Sequence, residues 1–507
     1  MRAVECRHPQ NYLTSRRQWG MEPPYTAGLE SVGREFDRVE CPVEGTIPSW
    51  LSGTLFRNGP GRFEVDDQSL NHWFDGLAML RRFRIEDGTV SVSNRFLRSE
   101  EYEHVRREGE LKHDQFGTTA PSSVWDRLTG LMNPELTDNA SISVDRIGTD
   151  PIAITETPRA VKFDAKTLET EETVEHNDGL SITGSLGHPH YDFGTEMVVN
   201  MGIEFGRTSE YVLFERPTDS HIRRKVGGFE VDRPAYFHSF GLTERYAILM
   251  ESPLRLSPRS LLRDRPFIEN YSWDDDLASR FLLFDRQSGE VVSTPRVDPC
   301  FVFHHVNAFE EPAESRVVVD VIAFEDSDVI QSLSLDRLRS GEEPVPGGEL
   351  RRYRLPLKDG GIAEQSLFPG PVEFPMINYR AVNTRSYRYL YAAGHSGSVA
   401  TGLLNCLLKY DLETESHTVW SEPGVYPGEP VFVARRPASE PGIGETDEDD
   451  GVVLSVLLDT RVDRSVLLIL DGSSFSELAR VQLPTVFPFG FHGQWYPDDE
   501  RPHRTMP

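Results

Sequence analysis

One phrase recurs along this chain and limits what it can fold into: a short apolar strand ending in Asp, a polar turn, and a Glu opening the next strand. It occurs as Val161-Lys162-Phe163-Asp164 with Glu169, and as Leu282-Leu283-Phe284-Asp285 with Glu290. It returns as Leu408-Lys409-Tyr410-Asp411 with Glu415, and as Leu468-Ile469-Leu470-Asp471 with Glu477. The Asp residues are 121, 126 and 60 positions apart, which fits one spacing near 60 present once and twice doubled. A hairpin returning at that interval predicts propeller blades, since a sandwich seldom fills 507 residues. Other apolar runs, such as Val317-Val318-Val319-Asp320-Val321-Ile322, are equally short and β-branched. Helical periodicity is scarce. Its best case is 122–132, where Val124, Trp125, Leu128, Leu131 and Met132 share one face. The expected fold is all-β, a single propeller domain over 1–507, with insertions at 99–139 and an acidic surface loop at 437–451.

Charge narrows the function. The net charge of −28 makes a surface that repels phosphate backbones, so no nucleic-acid partner is expected. Six lysines against 47 arginines and an acidic surface suit a saline cytoplasm, which predicts a halophilic protein. The four cysteines (Cys6, Cys41, Cys300, Cys406) have neither framework spacing nor a CxxC pair, which argues against a disulfide scaffold and against a thiolate zinc site. No signal-peptide pattern and no 18-residue apolar run is found, so the expected location is cytoplasmic.

Histidine carries the chemistry. Of fifteen, four stand in apolar or glycine-flanked settings that read as strand ends. They are His188 in Gly187-His188-Pro189-His190, His238 in Tyr236-Phe237-His238-Ser239, His304 in Phe303-His304-His305-Val306 and His492 in Gly490-Phe491-His492-Gly493. Separations of 50, 66 and 188 exclude a local helix or hairpin site. The innermost strands of a propeller converge on one axis whatever their distance in sequence, so the four can meet there. Two have a second histidine beside them. On a strand His304 and His305 point to opposite faces, and spacing alone does not say which of each pair reaches an ion.

Four neutral imidazoles suit Fe, Zn or Cu and leave the full 2+ charge on the ion. Buried carboxylates on the outer ring nitrogens would fix the tautomers and offset that charge. Glu156, Glu373 and Glu429 lie in apolar, proline-marked contexts suited to the task. The glycine-rich Arg57-Asn58-Gly59-Pro60-Gly61-Arg62 lacks the Lys-Ser/Thr of a phosphate loop and reads as a turn, and His72 is given no catalytic role.

These segments resemble the carotenoid cleavage oxygenase family, and the likeness runs along nearly the whole chain. Gly53-Thr54-Leu55-Phe56-Arg57-Asn58-Gly59-Pro60 and His72-Trp73-Phe74-Asp75-Gly76 are similar to its N-terminal signatures, and the four histidine segments match its ligand segments in order. The resemblance implies a seven-bladed propeller, capped by loops, with Fe(2+) on its axis. It implies His188, His238, His304 and His492 as ligands and Glu156, Glu373 and Glu429 behind them. Phe303-His304-His305-Val306-Asn307 and Glu373-Phe374-Pro375-Met376 place the chain nearer the animal β-carotene dioxygenase and retinoid isomerase branch. The stretch 117–121 lacks the cysteine-bearing segment of the animal isomerase, which argues against isomerohydrolase activity. The expected reaction is cleavage of a carotenoid C=C bond by O2 into two aldehydes, with β-carotene cut centrally to retinal. The alternatives are an apocarotenoid- or stilbene-cleaving oxygenase and a metal-free binding propeller. Because the substrate lives in lipid, Phe116, Val124, Trp125, Leu128, Leu131 and Met132 are the expected peripheral membrane contact.

Overall fold

The computed structural model describes residues 23–121, 136–257, 260–261, 263, 265–342, 344–358, 360–396, 402–435 and 447–498. The expected helix at 122–132 and most of the acidic loop, 436–446, lie outside them.

Each recurring phrase is a hairpin between consecutive strands of one sheet. The four are Val161–Phe163 with Thr170–Thr173, Ser279–Asp285 with Val291–Ser293, Cys406–Asp411 with Ser416–Trp420, and Arg464–Asp471 with Glu477–Gln482. The Asp makes the turn. Its carboxylate accepts backbone N–H groups two and three residues on: at Asp164 from Lys166 and Thr167 (2.9 and 2.7 Å), at Asp285 from Gln287 and Ser288 (2.8 and 3.2 Å). Asp411 repeats this with Glu413 and Thr414, and Asp471 with Ser474. A short carboxylate closing its own turn satisfies donors that no strand partner reaches.

Among the described residues the strands form six larger antiparallel sheets. One of them runs through seven strands in chain order from Phe301–Glu311 to Ser416–Trp420, and its long strand Ala363–Met376 belongs to two four-stranded meanders. Central strands are apolar on both faces because both are covered. In Tyr246–Glu251, Ala247 and Leu249 pack toward the preceding sheet with Met201 and Leu213. Tyr246, Ile248 and Met250 pack toward the next with Val319 and Tyr353. Similar clusters join the later sheets, and Leu55 and Phe83 of the first meet Leu454 and Ile469 of the last. The circle closes by strand pairing in both directions. Strand Gly53–Arg57 pairs with Gly493–Pro497, and Val43–Gly45 adds to Glu477–Gln482. The structure is a β-propeller.

Within the 99–139 insertion, helix Glu100–Glu108 replaces part of what reads as loop. Its signals lie at its ends rather than in an apolar stripe. Ser99 accepts from Tyr102 N–H at 3.2 Å, glutamates fill the first turn, and Gly109 ends it at φ 74°. Among the described residues no helix is long and apolar enough to cross a membrane, and Cys41, Cys300 and Cys406 are buried free thiols.

His72, given no catalytic role above, holds a turn in place. It caps a 3₁₀ turn, Trp73–Asp75; Phe74 N–H donates to its Nδ1 (3.2 Å), and its Nε2 lies 2.8 Å from the Ile330 carbonyl. Burial lowers its pKa to about 4, below the ordinary value near 6.5. A histidine held neutral stabilises the fold fully above the unfolded-state pKa, and that contribution drains away as pH falls from about 6.5 toward 4. Wild type should therefore lose more stability than His72→Gln over that window, by about 2–3 kcal/mol. Urea midpoints at pH 7 and 4.5 test this; equal losses in the two proteins would refute it.

Candidate metal centre

All four histidines sit in, or just before, an edge strand of their sheet, and the edges meet. His188 precedes His190–Asp192, His238 precedes Gly241–Leu242, His304 lies in Phe301–Glu311, and His492 precedes Gly493–Pro497. Their ligand nitrogens all lie within 4.8 Å of one another. The Nε2 atoms of His188 and His238 are 2.9 Å apart, and those of His304 and His492 are 3.4 Å apart.

What holds the rings explains why the nitrogens face inward. His238 Nδ1 lies 2.5 Å from Glu156, His304 Nδ1 2.6 Å from Glu373, and His492 Nδ1 2.7 Å from Glu429. Each carboxylate accepts a hydrogen bond from Nδ1–H, which keeps the proton on Nδ1 and leaves Nε2 as a bare lone pair. Lone pairs packed this closely repel unless a cation lies between them. Two imidazole nitrogens bound at right angles to one ion, at about 2.1 Å each, are about 3 Å apart, so the cluster fits a divalent metal. Burial, reinforced by the other three rings, drives His188 well below its ordinary pKa, and burial takes His492 to about 4. Neutral imidazoles are what a metal requires.

Two partners escaped the sequence reading. Tyr236 donates its hydroxyl to Glu156 at 2.9 Å, and burial holds that phenol protonated. Arg57 pairs with Glu429 and donates to the Phe491 carbonyl at 2.7 Å; both side chains are about 95% buried. Burial alone would raise the Glu429 pKa, but His492 and Arg57 together bring it below the ordinary carboxylate value. The segment read as a simple turn therefore begins with the cation that balances one carboxylate. Tyr236 had a signal in its place two residues before His238. Arg57 had none, because its partner is 372 residues away.

A cavity of about 1720 Å³ reaches His238, His304 and His492. It exceeds the 300–1,000 Å³ of ordinary ligand pockets. Phe74, Phe116, Tyr236, Phe303, Phe374 and Phe491 line it near the histidines. Phe116 is thus turned inward, not outward onto a membrane-facing patch: its ring lies 5.0 Å from His72, 5.2 Å from Phe74 and 5.7 Å from Tyr236. Val124, Trp125, Leu128, Leu131 and Met132, the rest of that patch, fall outside the described residues.

The family model described as "Retinal pigment epithelial membrane protein" matches residues 29–497. Mouse β,β-carotene 15,15'-dioxygenase is 34% identical, the match covering 92% of this chain and 90% of the mouse protein. The chain belongs to the carotenoid cleavage oxygenase family. Other members it resembles include the carotenoid isomerooxygenase of Galleria mellonella, at 32% identity over 91% of this chain and 95% of that one. Among solved members, cobalt-substituted apocarotenoid oxygenase from Synechocystis superposes with a TM-score of 0.81 at 26% identity, covering 94% of this chain and 98% of that one. The order of the signature segments anticipated this membership.

Proposed function

We propose that this chain is a carotenoid oxygenase holding Fe(2+) on His188, His238, His304 and His492, and that it cleaves β-carotene centrally to retinal. The convergence of four inward-facing Nε2 atoms at the end of a large aromatic cavity carries this reading. Iron bound there would keep positions open for O2, which adds across one C=C bond so that each carbon leaves as an aldehyde. The protein's share is placement. Glu156, Glu373 and Glu429 hold the Nδ1 protons and so the aim of three rings, and Arg57 and Tyr236 hold two of those carboxylates. The aromatic wall orients an extended polyene and keeps water from the reacting bond. Gln115, Asn139 and Asn270 also line the cavity, and this polar stretch favours an oxygenated apocarotenoid as the second reading. Seven blades, a halophilic surface and a cytoplasmic location with peripheral membrane contact belong to the same proposal.

Anaerobic reconstitution with Fe(2+), then reaction under ¹⁸O2 with β-carotene, an apocarotenal and a stilbene, tests it. Labelled retinal from β-carotene is the expected product. Cleavage of the apocarotenal or the stilbene alone would transfer the assignment to that substrate. Wild type that takes up no iron would leave a binding propeller.

A further inference from the structure

Below the four ligands lies a second layer of hydrogen bonds that the metal reading does not use. Ser239, next to His238, donates its hydroxyl to the Phe303 carbonyl at 2.7 Å and accepts the His305 backbone N–H at 2.8 Å. Those two groups bracket His304, so one hydroxyl bolts the His238 segment to the His304 strand. The ring of His305 joins in, its Nδ1 2.9 Å from the same oxygen. The Ser239 hydroxyl proton is committed to Phe303, so His305 Nδ1 must be the donor to Ser239, which fixes that tautomer.

The other paired histidine does the same between the first two ligands. His190 Nε2 lies 2.9 Å from the Phe240 carbonyl, which can only accept, so Nε2 carries the proton. Its Nδ1 then accepts from the Tyr379 hydroxyl at 2.9 Å, and Tyr379 in turn accepts the Tyr191 backbone N–H at 3.1 Å. His190 thereby ties the strand that follows His188 to the segment that follows His238. This matters most for His188, which has no hydrogen-bonded carboxylate among the described residues.

Resting on the reading that the four histidines bind a divalent metal, we infer that Ser239, His190 and His305 are positioning residues that set the spacing of the ligand strands around the ion. The doubled histidines then divide the labour: one member of each pair is the ligand, and the other is the spacer between neighbouring ligands. A spacer differs from a mere structural contact in what it controls. Removing it changes metal affinity and ligand-field geometry, not only stability.

The test is Co(2+) titration of the metal-free full chain, read by d–d absorption and by equilibrium competition with a chelator. Ser239→Ala and His190→Leu should bind Co(2+) about 10–100-fold more weakly than wild type with altered absorption bands, the range expected when a group behind a ligand is lost. His190→Gln keeps an N–H where Nε2 stands and should remain within about threefold of wild type. If Ser239→Ala and His190→Leu melt at lower temperature yet keep wild-type affinity and spectrum, the positioning role is overturned. Should Ser239→Ala fail to fold, the His190→Leu and His190→Gln pair decides. Wild type that binds no Co(2+) would instead overturn the metal reading beneath it.

Discussion

His304→Ala is expected to lower carotenoid cleavage at least about 10³-fold and to leave the purified protein nearly free of iron, because a ligand and the orientation of its neighbours go together. The geometry explains the size of the effect. His304 Nε2 is 3.4 Å from His492 Nε2, and its Nδ1 engages Glu373, which also accepts the Phe374 N–H. Removing the ring opens one side of the cluster and strips that carboxylate of its imidazole donor, leaving it the Phe374 N–H. Glu373→Gln, which leaves all four imidazoles in place, should lose only about 10–100-fold. Iron content by elemental analysis and retinal formation by chromatography separate the two. His304→Ala with wild-type iron would mean that this ring is no ligand.

The second large effect concerns stability. Arg57→Met removes the cation beside Glu429 in a site where both side chains are about 95% buried. Breaking a buried ion pair by deleting one partner costs about 3–5 kcal/mol, because the remaining charge stays desolvated. Arg57→Met with Glu429→Gln should recover much of that loss, since the double variant strands no charge. Denaturant midpoints of the metal-free proteins measure this. A single variant within about 1 kcal/mol of wild type, or a double variant no better than the single, would show that the pair does not bear on the fold.

The sequence exposed what depends on local chemistry and hid what depends on distant pairing. The Asp-turn-Glu phrase was legible because a carboxylate closing its own turn leaves a mark within four residues, as at Asp164 and Asp285. The doubled intervals were legible too. The sheet beginning with Gly184–Ser185 lies between the first two copies, and the meander beginning with Phe301–Glu311 lies between the next two. Glu156, Glu373 and Glu429 stood out as acids in apolar surroundings, and each is hydrogen-bonded to one of the clustered histidines. Arg57 did not stand out, since an arginine at a strand end looks like surface until its partner is seen. Helix Glu100–Glu108 was hidden for a different reason: its charged composition carries no apolar stripe, and its information lies in the two caps. Residue spacing left open which histidine of each pair faces the axis; the family resemblance pointed to His188 and His304, and in the structure those two join the cluster while His305 points toward Ser239.

The way the ring is fastened also dictates when the site can exist. Strand Gly493–Pro497 follows His492 directly and completes the first sheet, so the fourth imidazole arrives with the final stave of the barrel-maker's hoop. A growing polypeptide therefore carries three donors on an open arc, and full chelation waits until the tail has been synthesised and has docked against the head. Metal loading at the four-histidine site therefore waits for that strand to dock, and a fragment cut before His492 lacks the fourth imidazole even though Val43–Gly45 can still pair with Glu477–Gln482.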